Sequence, residues 1–374
     1  MARQDQDQNR DHGKTRALRA ELLAWYGLNR RDLPWRRSRD PYAIWVAEIM
    51  LQQTRVAVVV ERYQQFMGRF PTLVSLALAK EQDVLAMWSG LGYYRRARML
   101  HKAAQFVSEN LQGNLPGKAE ELRNLPGIGV YTAAAVASIA HNEPVAVVDG
   151  NVERVLCRFA GWGAGSRKGG GTALRRKVEA LALRFLDRVR PGDFNQAMME
   201  LGATVCTPRN PQCAACPLMA ECKTRGEHKT TRRAAMTSRV AAYALVMRAT
   251  PRPGRRRGGN SEQLLLVQRP AQTTVMPGMW ELPTLIHAEV PGSELRMTLR
   301  HAIMQVNYYV RIRSVGEEDV EAMTAAVGER RWVALHEAAG MALTGLARKV
   351  LMRSRLLPSP AMDAIARRRG EAVV

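Results

Sequence analysis

The chain has 374 residues, 46% of them hydrophobic, so it can bury more than one core and its length fits two or three domains. Lys and Arg number 56 against 34 Asp and Glu, a net charge of +22 that opposes compaction and suits a polyanionic partner, nucleic acid above all. No apolar run is long enough for a membrane-spanning helix, and four of the five cysteines crowd between Cys206 and Cys222, as metal ligands do in a reducing compartment.

The opening stretch MARQDQDQNRDHGKTR mixes acids with bases, unlike a signal or transit peptide, and residues 1–14 are expected as a disordered leader. From residue 15 to about 225 the apolar spacing is helical: LRAELLAWYGL, YAIWVAEIMLQQTRVAVVVERYQQFMGRF, ARMLHKAAQFVSENL and GTALRRKVEALALRFLDRV recur near three and four. Gly and Pro punctuate these runs, which predicts an all-α domain of many short helices. The Gly-rich GAGSRKGGGT lacks the Gly-Lys-Ser/Thr ending of a phosphate-cradling loop and reads as a plain connection. A basic linker over 226–238 follows. Beyond it RVAAYALVMR, EQLLLVQRP and NYYVRIRSV are β-prone, while EAMTAAVGE and HEAAGMALTGLARKVLMRS are helical, so 239–355 is expected to be an α+β domain. GRRRGG reads as a long hairpin tip, and 356–374 as a flexible basic tail.

Between two helical runs lies LPGIGVYT, in which Gly127 and Gly129 allow a tight turn with backbone N–H groups pointing out at the head of the next helix. Such a nest binds a phosphate oxygen without a charged side chain, and in so basic a chain this helix-hairpin-helix pattern points to the DNA backbone. Further on, VAVVDGNVERVLCR places Asp149 where it is either a helix N-cap or a functional carboxylate. Glu48, inside IWVAEIMLQQT, has apolar neighbours on both sides, so burial is expected to raise its pKa. One carboxyl that carries a proton and one that stays ionised suit cleavage of an N-glycosidic bond: the first activates the leaving base, the second steadies an oxocarbenium-like sugar. Whether Glu48 and Asp149 meet in space is not legible from the sequence.

The pattern Cys206-x6-Cys213-x2-Cys216-x5-Cys222 packs four thiols into one short loop. Its uneven gaps suit wrapping an iron–sulfur cluster, and spacing alone leaves zinc equally open.

The segments LPWR, WVAEIMLQQT, GLGYYRRARML, LPGIGVYTAA, VVDGNVERVL, FNQAMMELGATVCT and the cysteine loop stand in the order found in the MutY branch of the endonuclease III superfamily. The chain resembles that family from about Ala17 to Cys222. The resemblance implies a helix-hairpin-helix glycosylase domain with a [4Fe–4S] cluster on Cys206, Cys213, Cys216 and Cys222. It implies a double-stranded DNA partner in which adenine faces 8-oxoguanine or guanine, with the target base flipped out. By motif, Glu48 would protonate the purine and Asp149 would steady the sugar cation, with Tyr131 and Asn151 supporting them. Trp35, Arg36, Leu51 and Gln196 would line the adenine pocket, and Gln53 and Tyr93 would fill the gap near the opposing base. In relatives that cut the strand, a lysine stands where this chain has Tyr131. A phenol cannot form a Schiff base, so a monofunctional enzyme is expected. A monomer in the cytoplasm, at the nucleoid, completes the expectation.

In the C-terminal part LLLVQRP, MPGMWELPTL, LRHAI and RWVALHEAAGMALTGLARKVL resemble a Nudix-like domain, without the Glu-rich metal helix of a working Nudix hydrolase. Where the family carries Phe-Ser-His, this chain has Ile303-Met304-Gln305, leaving Gln305 as the donor and acceptor toward an oxidised guanine. Two rivals stand beside this reading: a pyrimidine glycosylase/lyase, and a DNA-binding scaffold without catalysis. Tyr131 and the DGNV form count against the first, and the presence of both Glu48 and Asp149 against the second.

Overall fold

The computed structural model describes residues 2–163, 171–228, 235–251 and 260–358. The centre of the Gly-rich loop, residues 229–234 of the linker, the GRRRGG tip and the tail from 359 lie outside the described residues. The chain forms two compact units: residues 1–78 with 99–232, and residues 79–98 with 233–374.

The helical elements run α1 (Ala2–Asn29), α2 (Pro41–Leu51), α3 (Val56–Arg69), α4 (Leu73–Ala77), α5 (Glu81–Met87), α6 (Arg95–Asn110), α7 (Ala119–Leu122), α8 (Val130–His141), α9 (Gly150–Phe159), α10 (Gly171–Phe185) and α11 (Pro191–Thr204). The expected leader is a correction, because α1 begins at Ala2 and takes in residues 2–14. That stretch holds no proline and a single glycine, and polarity by itself does not oppose a helix.

Two packings build the first unit. In one, Leu18, Leu22 and Tyr26 of α1 meet Val155 and Leu156 of α9, Val178 of α10 and Leu201 of α11. In the other, α2 packs on α8. Every residue of α2 from Tyr42 to Met50 is buried, so it is the central helix, started by Pro41 behind an Asp40 cap and carrying one charged side chain, Glu48. On α11 a Cβ at position 202 would stand 2.7 Å from Cβ of Asn151, so Gly202 lets α11 lie directly against the head of α9.

The second unit is α+β. Its strands are β1 (Thr237–Pro251), β2 (Asn260–Gln268), β3 (Trp280–Glu281), β4 (Leu295–Ile303), β5 (Val306–Val315) and β6 (Glu329–Ala334), followed or interrupted by α12 (Val320–Met323), α13 (Leu335–Ala338) and α14 (Gly345–Arg353). The sheet order is β3-β2-β1-β5-β4, with β6 also on β2, and β1 pairs parallel to β5. Alternation along β1 sends Leu245 into one core with Leu346 and Val350 of α14, and Ala242, Ala244 and Val246 into a second. Residues 79–98 belong here through long-range bonds. Tyr94 donates its hydroxyl to the Leu343 carbonyl at 3.3 Å, and Arg348 donates to the Ser89 hydroxyl at 2.6 Å.

Candidate active site

A cleft of about 780 Å³ opens in the first unit, and Glu48, Tyr131, Asp149 and Asn151 all line it. Sequence-distant elements supply them. Glu48 projects from buried α2, Tyr131 from the first turn of α8, and Asp149 and Asn151 from the head of α9.

Glu48 is only 5% exposed. Burial, with a further push from Asp149, raises its carboxyl to about 7, against the lowering pull of a hydrogen bond from Tyr131 and the charge of Arg36. The Tyr131 hydroxyl donates to Oε2 of Glu48 at 2.6 Å. Burial, helped by the charge of that neighbour, pushes the phenol well above its usual range, so it stays a donor.

Asp149 takes the capping place that the sequence left open, and it lines the cleft as well. It is the N-cap of α9, its Oδ1 accepting from the Val152 amide at 2.7 Å, while Oδ2 accepts from the Asn151 amide side chain at 2.9 Å. Asn151 is held in turn by Arg154, whose guanidinium also donates to the carbonyls of Gly202 and Cys206.

The turn before α8 carries its glycines for different reasons. Gly127 has φ 74°, and a Cβ there would stand 2.5 Å from Met99 Cβ, so the position requires glycine. Gly129 has φ −89°, caps α8, and leaves open space where a side chain would be. No side chain caps this helix, which leaves its first amides free for an anion.

Trp35, Arg36, Leu51, Gln53 and Gln196 also line the cleft. Trp35 is buried edge-on to Tyr63, and Gln196, Met199 and Glu200 share one face of α11 at helical spacing. Tyr93 and Gln305 lie in the second unit and are not among the cleft residues. Tyr93 is half exposed in a left-handed conformation (φ 47°), under the Arg96 guanidinium at 5.6 Å. Gln305 is exposed in the turn between β4 and β5. Sequence reasoning passed over Arg31, Arg175 and Glu200. For Glu200 the signal was present: an acid one helical turn after Gln196 in FNQAMMELG, on a face otherwise apolar.

The four clustered cysteines line one pocket behind α9 with Val155, Phe159 and Leu218. Cys206 follows α11, and a tight turn over Cys213–Ala215 brings Cys213 and Cys216 round. Burial, with three neighbouring sulfurs, pushes the Cys216 thiol up to about 11, so its thiolate needs a cationic partner here. Buried Arg158 lies against them, donating to Cys206 Sγ at 3.4 Å and to the Thr207 and Pro208 carbonyls. Among the described residues no three His, Cys, Asp or Glu side chains come together as a site for one metal ion. All four sulfurs line the same pocket, and a donor set of four thiolates fits an iron–sulfur cluster.

Residues 46–179 match the family model described as HhH-GPD superfamily base excision DNA repair protein, and residues 206–222 match the iron–sulfur binding domain of endonuclease III. Over that stretch the chain is similar to the HhH-GPD superfamily. Its cysteine loop is an iron–sulfur domain, and four thiols in it suit a [4Fe–4S] cluster.

The chain is similar to three adenine DNA glycosylases. The human one is 48% identical over 225 residues, 58% of this chain and 41% of that protein. The mouse one is 40% identical over 315 residues, 72% of this chain and 60% of that protein. The Arabidopsis thaliana one is 38% identical over 335 residues, 80% of this chain and 51% of that protein. The chain thus spans between about two fifths and three fifths of the length of these curated relatives. Among solved structures, a thermostable thymine-DNA glycosylase superposes with TM-score 0.52 at 29% identity, covering 57% of this chain and 98% of that one. No described helix is long and apolar enough to cross a membrane.

Proposed function

We propose that the chain is a monofunctional DNA glycosylase that hydrolyses the bond between adenine and deoxyribose where adenine faces 8-oxoguanine or guanine in duplex DNA. The observation that carries this reading is the pair of unlike carboxyl groups in one cleft. Burial raises the Glu48 carboxyl to about 7, where it can carry a proton, while the Asp149 carboxylate is fixed by the Val152 amide and the Asn151 side chain. Similarity to three adenine DNA glycosylases supports adenine as the base.

In this reading the flipped adenine enters between Trp35, Leu51 and Gln196. Glu48 delivers its proton to the purine as the C1′–N bond breaks and its electrons leave with the base. Asp149 stabilises the positive charge that develops on the sugar, and water adds at C1′, giving its proton to the Glu48 carboxylate that the first step left behind. Tyr131 aligns the Glu48 carboxyl, and Asn151 aligns Asp149. No amine stands at position 131 to trap the sugar aldehyde, which supports hydrolysis without strand cutting. Gly127 and Gly129 give the α8 amides to a backbone phosphate. When bound by Cys206, Cys213, Cys216 and Cys222, the cluster supplies structural order to the loop. The second unit, with Tyr93 and Gln305, is read as a Nudix-like lesion reader, Gln53 of the first unit is read separately as a contact to the opposing base, and the protein is read as a monomer.

Single-turnover release on duplexes that vary both bases of the pair tests the reading. Adenine release from pairs with 8-oxoguanine and guanine is expected. Release of thymine instead, the activity named for the similar solved structure, would replace it.

A further inference from the structure

Asn195 is the residue before Gln196 on α11, yet it is only 2% exposed and is not among the residues that line the cleft. Its carboxamide makes three hydrogen bonds. Oδ1 accepts the Val147 amide at 3.1 Å, and Nδ2 donates to the Val145 carbonyl at 2.9 Å and to the Ser138 hydroxyl at 3.0 Å. Residues 142–149 run from α8 to α9 in neither helix nor strand, so no ladder satisfies their backbone. A carboxamide that pairs with the carbonyl of residue 145 and the amide of residue 147 does what one residue of a parallel neighbour strand would do across Ala146. Gly192 brings α11 within reach, since a Cβ there would stand 2.6 Å from the Ser138 carbonyl oxygen of α8. The segment held in this way packs Val147 on Ala134 and Ala135 of α8, with Tyr131 against them, and two residues later it delivers Asp149.

We propose that Asn195 is a positioning residue for Asp149: its carboxamide replaces the missing neighbour strand, fixes residues 145–147 against α8, and so sets where the Asp149 carboxylate enters the cleft. The inference rests on the reading of Asp149 as the group that steadies the sugar cation, and deepens it. From its other side Asp149 is located by the Val152 amide and the Asn151 side chain, both on α9. The carboxylate is thus held between two anchors, and loss of the first leaves it to follow α9 alone. An apolar side chain at 195 could fill the space, but it would leave a buried amide and a buried carbonyl unpaired. Ser138, the third partner, bonds to Asn195 and to the Ala135 carbonyl at 3.3 Å. It orients the carboxamide without gripping the connection itself.

The test measures single-turnover adenine release, affinity for a duplex with a non-cleavable adenine analogue, and residue-resolved amide hydrogen exchange, all on the full-length, cluster-loaded protein. Asn195→Ala is expected to slow release about 100-fold, the cost of misplacing a group by about an ångström, with duplex affinity within about threefold of wild type. The Val147 and Val152 amides should exchange faster in it, the second because its Asp149 partner is no longer firmly placed, while later amides of α9 keep their protection. Ser138→Ala leaves both bonds to the connection in place and should stay within about threefold of the wild-type rate. In an Asp149→Asn background Asn195→Ala should slow release by less than about threefold more, since the two changes act through one group. The proposal is overturned by a near-wild-type rate in Asn195→Ala, by rate and affinity falling together, by the full further loss in the Asp149→Asn background, or by unchanged exchange at Val152. Should Asn195→Ala not fold, Asn195→Asp decides. Its carboxylate keeps the acceptor for Val147 and lacks the donor for Val145, so release should fall about tenfold, and a rate within about threefold of wild type overturns the idea. If wild type releases no adenine while the exchange results come out as expected, the catalytic reading fails and the hold of Asn195 on Asp149 stands.

Discussion

Tyr131 and Glu48 meet hydroxyl to carboxylate at 2.6 Å, and the bond opposes the effect of burial on Glu48. The phenol donates, so it favours the ionised carboxylate and pulls its pKa down, while burial pushes it up to about 7. Base release that needs the proton is therefore expected to fall as pH rises through about 7. Tyr131→Phe removes the lowering partner, so its falling limb should move to higher pH while the maximal rate drops. Single-turnover pH profiles of both proteins check this, and a limb that moves down or stays contradicts the assignment. Borohydride trapping of wild type should give little covalent adduct with DNA.

Glu48→Gln keeps the shape and removes the proton. Excision should be lost, with binding to mismatched duplex retained within a few-fold, because the missing interaction belongs to the transition state. The same change should stabilise the fold at high pH. The folded Glu48 binds its proton up to about 7 and the unfolded one only to about 4.5, so the native state loses stability as pH climbs between them. By linkage that loss is on the order of 3 kcal/mol, complete above pH 7 and absent below the unfolded value. Thermal melts should thus favour Glu48→Gln over wild type at pH 8 and show little difference at pH 5.

At Asp149, catalysis and capping are separable by choice of substitution. Asn is as good an N-cap as Asp, so Asp149→Asn should cost under about 1 kcal/mol of stability yet remove most activity. Asp149→Ala should lose both, with about 1 kcal/mol more from the missing cap on Val152. Denaturant melts beside excision rates check the pair. Equal stability loss in both variants would mean that the Val152 bond contributes nothing.

Some of this site was legible in the residues themselves and some was not, and the division follows sequence distance. The cysteine spacing and the buried setting of Glu48 are local, as is the Gly127 turn, and each is readable within one segment. The meeting of Glu48 with Asp149 depends on α2 packing on α8 and on α11 pressing against the head of α9 at Gly202, which no local pattern announces. The Glu200 pairing with Arg31 and Arg36 spans most of the helical unit. Residues 79–98 read as one more helical stretch, yet their bonds run to Leu343 and Arg348 in the second unit. Strands β4 and β6 escaped notice because their exposed faces carry Arg and Glu, which blurs the alternation.

The cluster loop should be organised by its metal. Iron and sulfide in anaerobically purified protein are expected, and zinc without iron would sink the assignment. Changing any of Cys206, Cys213, Cys216 or Cys222 to Ser should lower the melting temperature and weaken DNA binding, because a ligated group ties together a loop that otherwise docks mainly through Leu218. Cys157→Ser should be mild by comparison. Cys157 is buried in the core with Leu156 and Val178 and is not among the residues that line the pocket of the other four sulfurs.

The last expectation concerns the turn between β4 and β5. Ile303 pairs with Val306, so Met304 and Gln305 form a two-residue hairpin loop, and the Gln305 carbonyl accepts the Thr237 amide at 3.0 Å. Met304 sits at φ 53° and is 73% exposed, a left-handed position that suits Gly or Asn and gains nothing from a long apolar side chain. Gln305, also exposed, offers both a donor and an acceptor where Met304 offers only a weak sulfur acceptor. If this loop reads the oxidised guanine, one hydrogen bond from Gln305 is worth about 0.5–1.5 kcal/mol, a few-fold to tenfold in preference. Gln305→Ala should narrow the ratio of excision at 8-oxoguanine over guanine by that factor, and Met304→Ser with Gln305→His should widen it. Met304→Asn separates turn geometry from recognition: relief of the strained position should stabilise the unit by about 1 kcal/mol and leave the ratio unchanged. An unchanged ratio in both Gln305 variants would remove the loop from lesion recognition and leave discrimination to Gln53 and Tyr93.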